Sequence, residues 1–252
     1  GLFKTPDSVE GLTAAGVMRR SWIKSLGFSE MTGLNRTNSN VLNEKSPLVF
    51  KAEGGDGIFF IVDLGRETAG HLDFSVEVDN DCKMSIGWGE HLTDLRVRTE
   101  IDGRNFASEF ILKKGANDFT DYLRRIGSRY ICAFVYADCV KVGKLTVMES
   151  SYPFKKPKKD FGDTLLNRIY EVGRRTLELC AHEHYEDCPW REQALYGMDS
   201  RNQILFGYGA FDEYEYPRAA IKLMARSMRK DGFLQLCSPS ETPITIPSFT
   251  AY

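Results

Sequence analysis

The 252-residue sequence has no apolar run approaching the ~20 residues of a membrane-spanning helix, and its opening, Gly1 to Gly11, lacks the apolar core of a signal peptide. The chain as given reads as soluble and not membrane-inserted. A cytoplasmic setting is favoured, with a secreted or periplasmic one left open in case a leader has been removed. Excess charge is also missing: 33 Lys plus Arg against 35 Asp plus Glu leave a net charge of −2. That excludes a general attraction for nucleic acid or anionic lipid, so partners must be argued from local sites. The six cysteines contain no C-x-x-C pair, and a chain of this size does not need covalent staples to fold. Reduced, mostly buried thiols are expected. What is present is core material, 42% apolar with 12% aromatic residues, enough for one large or two modest globular domains.

Two halves differ in period. From Val41 to about Tyr152 apolar residues alternate, as in "HLDFSVEV", where Leu72, Phe74, Val76 and Val78 share one face and Asp73, Ser75 and Glu77 the other. Further runs, "CKMSIGWGE", "FASEFILKKG", "YICAFVYAD" and "KLTVMES", are separated by turn signals at Asp79-Asn80-Asp81, Gly115-Ala116-Asn117 and Val142-Gly143-Lys144. This predicts an antiparallel β-sandwich over residues 41–153, with residues 1–40 unassigned. Residues 154–162, rich in lysine and proline, read as a solvated linker. Beyond it the period becomes helical. "DTLLNRIYEVGRRTLELC" places Leu165, Ile169, Val172, Thr176 and Cys180 at helical spacing, with Asp163 as N-cap. A second helix is expected from about Pro189 to Phe206 and a third from about Pro217 to Arg229, with Met224 and Met228 filling core space. Residues 163–252 thus form an all-α region, and its closing "PITIPSFTAY" suggests a helical domain that continues further.

The densest chemistry lies in "HYEDCPWREQ", His184 to Gln193. One reading is a plain helix start, with Asp187 or Cys188 as N-cap and Pro189 in the first turn. A metal reading would use His182, His184, Asp187 and Cys188, but these mix hard and soft donors at no zinc spacing, so no metal is expected. A third reading is an active site. On a helix opened by Pro189, Glu192 and Asp199 are seven residues apart and project from one side, with Gln203 beside them, while Leu195, Met198 and Leu205 pack inward. Carboxylates, guanidinium, amide, Trp190 and Tyr196 are the groups that grip a sugar, and paired carboxyls hydrolyse glycosides. A competing site for a carbohydrate-binding module without catalysis lies near Trp88, Glu90 and His91, although Trp88 alternates with Met84 and Ile86 and reads as core.

The string "EDCPWREQALYGMD" resembles the Asp-Cys-Pro-x-Arg-(Asp/Glu) signature of bacterial α-L-rhamnosidases, glycoside hydrolase family 78. "FIVDLGRETAGHLDFSV", "SIGWGEHL" and "GSRYICAFV" resemble the β-sandwich preceding that family's catalytic domain. The likeness spans about residues 58–236. It implies that the helices open an (α/α)6 barrel and that the reaction is inverting hydrolysis of terminal α-L-rhamnosides, with no cofactor. It further implies that Asp187 and Arg191 contact the sugar and that Asp199 is the acid closing the signature, while Trp190 and Tyr196 are substrate-binding candidates by residue type. The proton donor falls at Glu192 or the position after it. Many members read Arg-Asp-Glu, whereas this chain has Arg191-Glu192-Gln193; glutamine is no acid, so either Glu192 takes over as donor or this branch has different chemistry. The general base is implied beyond Tyr252, so the chain alone is expected to show little or no glycosidase activity. A rhamnoside is the expected partner, and homo-oligomer formation is left open.

Overall fold

The computed structural model describes residues 1–24, 45–51, 54–94, 96–240 and 244–250. The expected strand start at Val41 and the final Ala251 and Tyr252 lie outside the described residues. The chain divides into two compact units, Gly1–Glu149 and Ser150–Tyr252.

The first unit contains strands β1 (Leu2–Lys4), β2 (Trp22–Lys24), β3 (Leu48–Lys51), β4 (Gly57–Val78) and β5 (Cys82–Gly89). Two small hairpins follow, β6 (Leu92–Thr93) with β7 (Arg96–Val97) and β8 (Glu100–Ile101) with β9 (Arg104–Asn105). Strands β10 (Ala107–Leu112), β11 (Gly115–Val135) and β12 (Cys139–Glu149) follow, and helix α1 (Ala14–Arg20) lies between β1 and β2 in the chain. The alternation in "HLDFSVEV" is realised: Leu72, Phe74, Val76 and Val78 are buried and the residues between them half-buried. Trp88 is core, 2% exposed, as its spacing from Met84 and Ile86 predicts.

Instead of the two separate sheets of a sandwich, eight strands form a single antiparallel sheet. Its order is β10-β5-β11-β4-β1-β2, with β12 also on β4 and β3 on β12. The reason is length. At 22 and 21 residues, β4 and β11 far exceed the usual 3–10, and strands that long must twist and bend. Register shifts between β11 and β4 at Thr120/Arg125 and Ser128/Tyr130 provide the bends. The sheet therefore curls: Phe74 on β4 meets Phe110 on β10 with ring centroids 5.0 Å apart, although two strands separate them in sheet order. Val142-Gly143-Lys144, expected to turn the chain, is a register shift within β12.

Residues 1–24, unassigned from sequence, belong to this unit. Phe3, Ala15 and Met18 join Phe59, Val97, Ala107, Cys132 and Phe134 in one buried cluster. Thr13 caps α1 by accepting a hydrogen bond from the Gly16 amide.

The second unit contains α2 (Thr164–Leu179), the strand pair β13 (Leu195–Tyr196) and β14 (Cys237–Ser238), α3 (Gly197–Phe211), α4 (Glu215–Ala225) and the short α5 (Pro247–Thr250). Asp163 caps α2 as expected, its side chain accepting from the Leu166 amide at 2.9 Å. The predicted apolar stripe does not face the core, however. Leu165, Ile169 and Val172 are 66%, 58% and 47% exposed, while Leu177 and Cys180 are buried. Met228 is likewise exposed, and only Met224 packs against the core. That core gathers Leu177, Tyr185, Leu195, Ile204, Phe211 and Tyr216. The supposed linker takes part in it. Phe154 is buried and stacked on Phe211 at 4.0 Å, and Lys156 holds the buried Glu178 at 2.9 Å, so this stretch is irregular but anchored.

At Gly70 β4 passes close against the backbone of β12. A Cβ there would stand 2.0 Å from the Met148 carbonyl oxygen. Gly70→Ala is expected to cost the first unit about 3 kcal/mol in urea unfolding, as overpacking does. A change under about 0.5 kcal/mol, the range of an ordinary surface substitution, would mean that the strands do not meet this tightly.

Candidate active site

After α2 the chain doubles back on itself. Ala181 bridges Tyr185, the Glu186 amide donates to the Cys180 carbonyl at 2.9 Å, and Tyr185 is fully buried against Tyr216. Within this fold-back His182 Nδ1 lies 3.2 Å from Glu186 Oε2, both side chains almost wholly inaccessible. Gln203 Nε2 of α3 donates to the Glu186 carbonyl at 2.6 Å. Asp187, the next residue, is therefore fixed from two sides.

From Asp187 the chain makes a closed loop. The Asp187 amide donates to the Ala194 carbonyl at 3.0 Å, and the Ala194 amide donates back to Asp187 Oδ1 at 3.0 Å. Inside it, the Glu192 amide donates to Cys188 Sγ at 3.3 Å and Gln193 Nε2 to the Pro189 carbonyl at 2.7 Å. Gln193 has a left-handed backbone, φ +53°. These features overturn the expected helix from Pro189. Pro189 to Glu192 is a turn, the left-handed Gln193 prevents helical continuation, and α3 starts only at Gly197. The rotation argument that set Glu192 and Asp199 on one helix face consequently fails. Asp199 sits exposed in the first turn of α3, with no hydrogen bond or ion pair to Asp187 or Glu192 among the described residues. Of the stripe expected to pack inward, Leu195 is buried, but Met198 and Leu205 are 41% and 50% exposed.

The loop brings four of the predicted residues together, Asp187, Arg191, Glu192 and Tyr196. The Asp187 and Glu192 carboxyls are hydrogen-bonded to each other, and the Tyr196 hydroxyl is hydrogen-bonded to Glu192. Arg191 Nη2 reaches Glu192 Oε1 at 2.6 Å. Partial burial pushes the Asp187 carboxyl above the usual carboxylate range, reinforced by Glu192 and opposed by the Ala194 amide and the Cys188 thiol. Burial, followed by the Glu192 charge, pushes Tyr196 up to about 12. Two carboxyls that bond to each other need a proton between them, so the cluster can store one at a pH where a free aspartate could not. Trp190 is 6% exposed, inside the loop, whereas Arg191 is on the surface.

The residues weighed as metal ligands are otherwise engaged: His182 with Glu186, and His184, whose Nδ1 donates to the Tyr185 carbonyl at 2.8 Å. No group of three or more His, Cys, Asp or Glu among the described residues is arranged to hold a metal ion. The His182–Glu186 pair and the anchoring of Glu186 by Gln203 were missed from sequence. The four-residue spacing of His182 and Glu186 was the available sign.

No family model and no curated protein matches the chain. Solved structures do. The family 78 rhamnosidase of Bacillus sp. GL1 aligns over 94% of this chain with a TM-score of 0.78 and 23% identity. The fold is that of α-L-rhamnosidases. A rhamnosidase from Klebsiella oxytoca with rhamnose bound aligns over 76% of the chain (TM-score 0.65, 22% identity), and the Streptomyces avermitilis α-L-rhamnosidase complexed with L-rhamnose over 79% (TM-score 0.58, 15% identity). The chain spans 24%, 40% and 21% of these rhamnosidases.

Two substitutions probe the loop. Because the folded-state pKa of Asp187 is raised, its ionisation costs stability as pH climbs from about 4, the unfolded value, through the folded one, and that cost is absent in acid. Asp187→Asn should thus become more stable relative to wild type as pH rises from 3 to 7 in denaturant titrations, and a difference independent of pH would refute the buried-proton assignment. His182→Ala removes one partner of a buried pair and should cost about 3 kcal/mol. A cost below about 1 kcal/mol, measured the same way, would show that the pair does not hold the fold-back together.

Proposed function

We propose that the chain is part of an inverting α-L-rhamnosidase-type glycoside hydrolase, with Glu192 as the proton donor. The observation that carries this reading is the hydrogen-bonded Asp187–Glu192 pair with Tyr196 beside it, in a fold shared with rhamnosidases. In the reaction, the proton that the pair holds on Asp187, while Glu192 is ion-paired with Arg191, passes through Glu192 to the departing glycosidic oxygen. Asp187, next to Glu192 and hard to ionise, keeps that proton in the pair until the bond breaks. Arg191 orients the Glu192 carboxyl through their 2.6 Å contact and offers its remaining N–H groups to sugar hydroxyls, as does the Tyr196 hydroxyl. Trp190 supports the turn from beneath, and Asp199 meets the substrate from the start of α3. Inversion needs a second carboxyl about 6.5–9.5 Å away to activate water on the opposite face. The family resemblance puts that base outside the present sequence.

The exposed apolar residues of the second unit support its reading as the opening of an (α/α)6 barrel. Leu165, Ile169 and Val172 on α2, Phe206 on α3 and Ile221 on α4 are each 47–68% exposed, a load that further helices would cover.

The chain alone should fail to hydrolyse an aryl α-L-rhamnoside. In an enzyme that contains this segment and the base, Glu192→Gln should lower kcat by about 10²–10⁴-fold. The loss should be greatest for poor leaving groups and smallest for activated aryl ones, since only the former need protonation. Wild-type turnover of an unactivated rhamnoside by that variant would sink the assignment of the acid.

A further inference from the structure

The first unit holds a pocket of about 380 Å³, walled by Arg19 of α1, by His91 and Thr93 and by the run from Arg96 to Glu100, at the lower end of the size range of small-molecule sites. Its lining is cationic: Arg19, Arg96 and Arg98 against one acid, Glu100. The three arginines are not equivalent. Arg96 is consumed by the fold, since Nη1 donates to the Met18 and Arg19 carbonyls at 3.3 and 3.1 Å and Nη2 to the Ser21 carbonyl at 2.8 Å, closing the end of α1. Arg19 is half neutralised by Glu100 at 3.4 Å. Arg98 is exposed and has no acidic partner among the described residues, its backbone amide alone being tied, to the His91 carbonyl.

A second observation comes from Thr99, which is 3% exposed and lines the same pocket. Its methyl faces the sheet, where a Cβ on Gly87 would come within 2.5 Å of it. The hydroxyl makes no hydrogen bond among the described residues. Because Thr99 lines the pocket, this hydroxyl is available to donate to or accept from a ligand there.

We propose that this pocket binds the carboxylate of an acidic sugar. Arg98 takes the carboxylate in a two-pronged hydrogen bond, Arg19 assists with the donors that Glu100 leaves over, and Thr99 and Thr93 bond ring hydroxyls. The free donor capacity, one unpaired guanidinium and part of another, matches a singly charged carboxylate better than a doubly charged phosphate. The carboxylate assignment stands on the arginines alone, whereas its placement on a sugar rests on the glycosidase reading.

Isothermal titration calorimetry on the chain with D-galacturonate, D-glucuronate, D-galactose and inorganic phosphate tests this. At least one uronate should bind, at least ten-fold more tightly than galactose, and more weakly as salt rises. Arg98→Ala should weaken that binding at least ten-fold, Arg98→Lys should recover part of it, and Thr99→Val should weaken it without changing its salt dependence. Absence of uronate binding, equal binding of galactose, or tighter binding of phosphate would each overturn the proposal. None of these readouts involves rhamnoside cleavage, so failure here leaves the glycosidase reading standing, and failure of Glu192→Gln to impair turnover leaves this one standing.

Discussion

The paired hydrogen bonds between Asp187 and Ala194 are the constraint on which the candidate site depends. They close a loop of eight residues, and everything chemical about the region follows from that closure. Glu192 is turned back towards Asp187, so that two carboxyls share a bond, and Arg191 and Tyr196 are left to contact Glu192 from other sides. The loop is itself suspended. Glu186, immediately before it, is held through its carboxyl by His182 and through its carbonyl by Gln203, and Leu195 and Tyr196, just after it, pair with Ser238 and Cys237. An irregular segment thereby acquires the rigidity that a site usually draws from regular elements.

In the first unit, length has a comparable role. Two strands of more than twenty residues cannot lie flat, and the register shifts that relieve them make one sheet wrap round its own core. The same wrapping lets the short hairpins between β5 and β10 stand against α1, and the arginine pocket lies there. Arg96 sacrifices its hydrogen-bonding capacity to that junction, which leaves Arg98, two residues on, as the cation with capacity to spare.

Sequence patterns exposed the repetitive parts of the molecule and lost the irregular ones. Period two in "HLDFSVEV" and the Asp163 cap of α2 reappear in the structure because each is decided locally, by a pleat or by one side chain and one amide. The helix drawn from Pro189 failed because its residues are compatible with a helix while non-local bonds, from Ala194 to Asp187 and from Tyr196 to Cys237, decide otherwise. The candidate residues were therefore named from composition and resemblance, but their grouping was not. Asp187, Glu192, Arg191 and Tyr196 converge, while Asp199 stands apart. Gln193, which looked like a lost acid, has a structural reason to be an amide: it donates to the Pro189 carbonyl, which an ionised glutamate could not do. The apolar stripe on α2 was read correctly as a stripe and wrongly as inward-facing, because periodicity reports a face and not what covers it.

The sequence contains three tryptophans, and their burial has a spectroscopic consequence. Trp22 is 53% exposed and Trp88 is buried with the Arg124 guanidinium 4.6 Å above its ring, both in the first unit, whereas Trp190 is the single indole of the second and lies under the turn that carries Glu192. With Trp22 and Trp88 replaced by phenylalanine, tryptophan emission comes from Trp190 alone. The turn thus carries its own optical reporter, whose red shift on opening registers solvent reaching the carboxyl pair without any label.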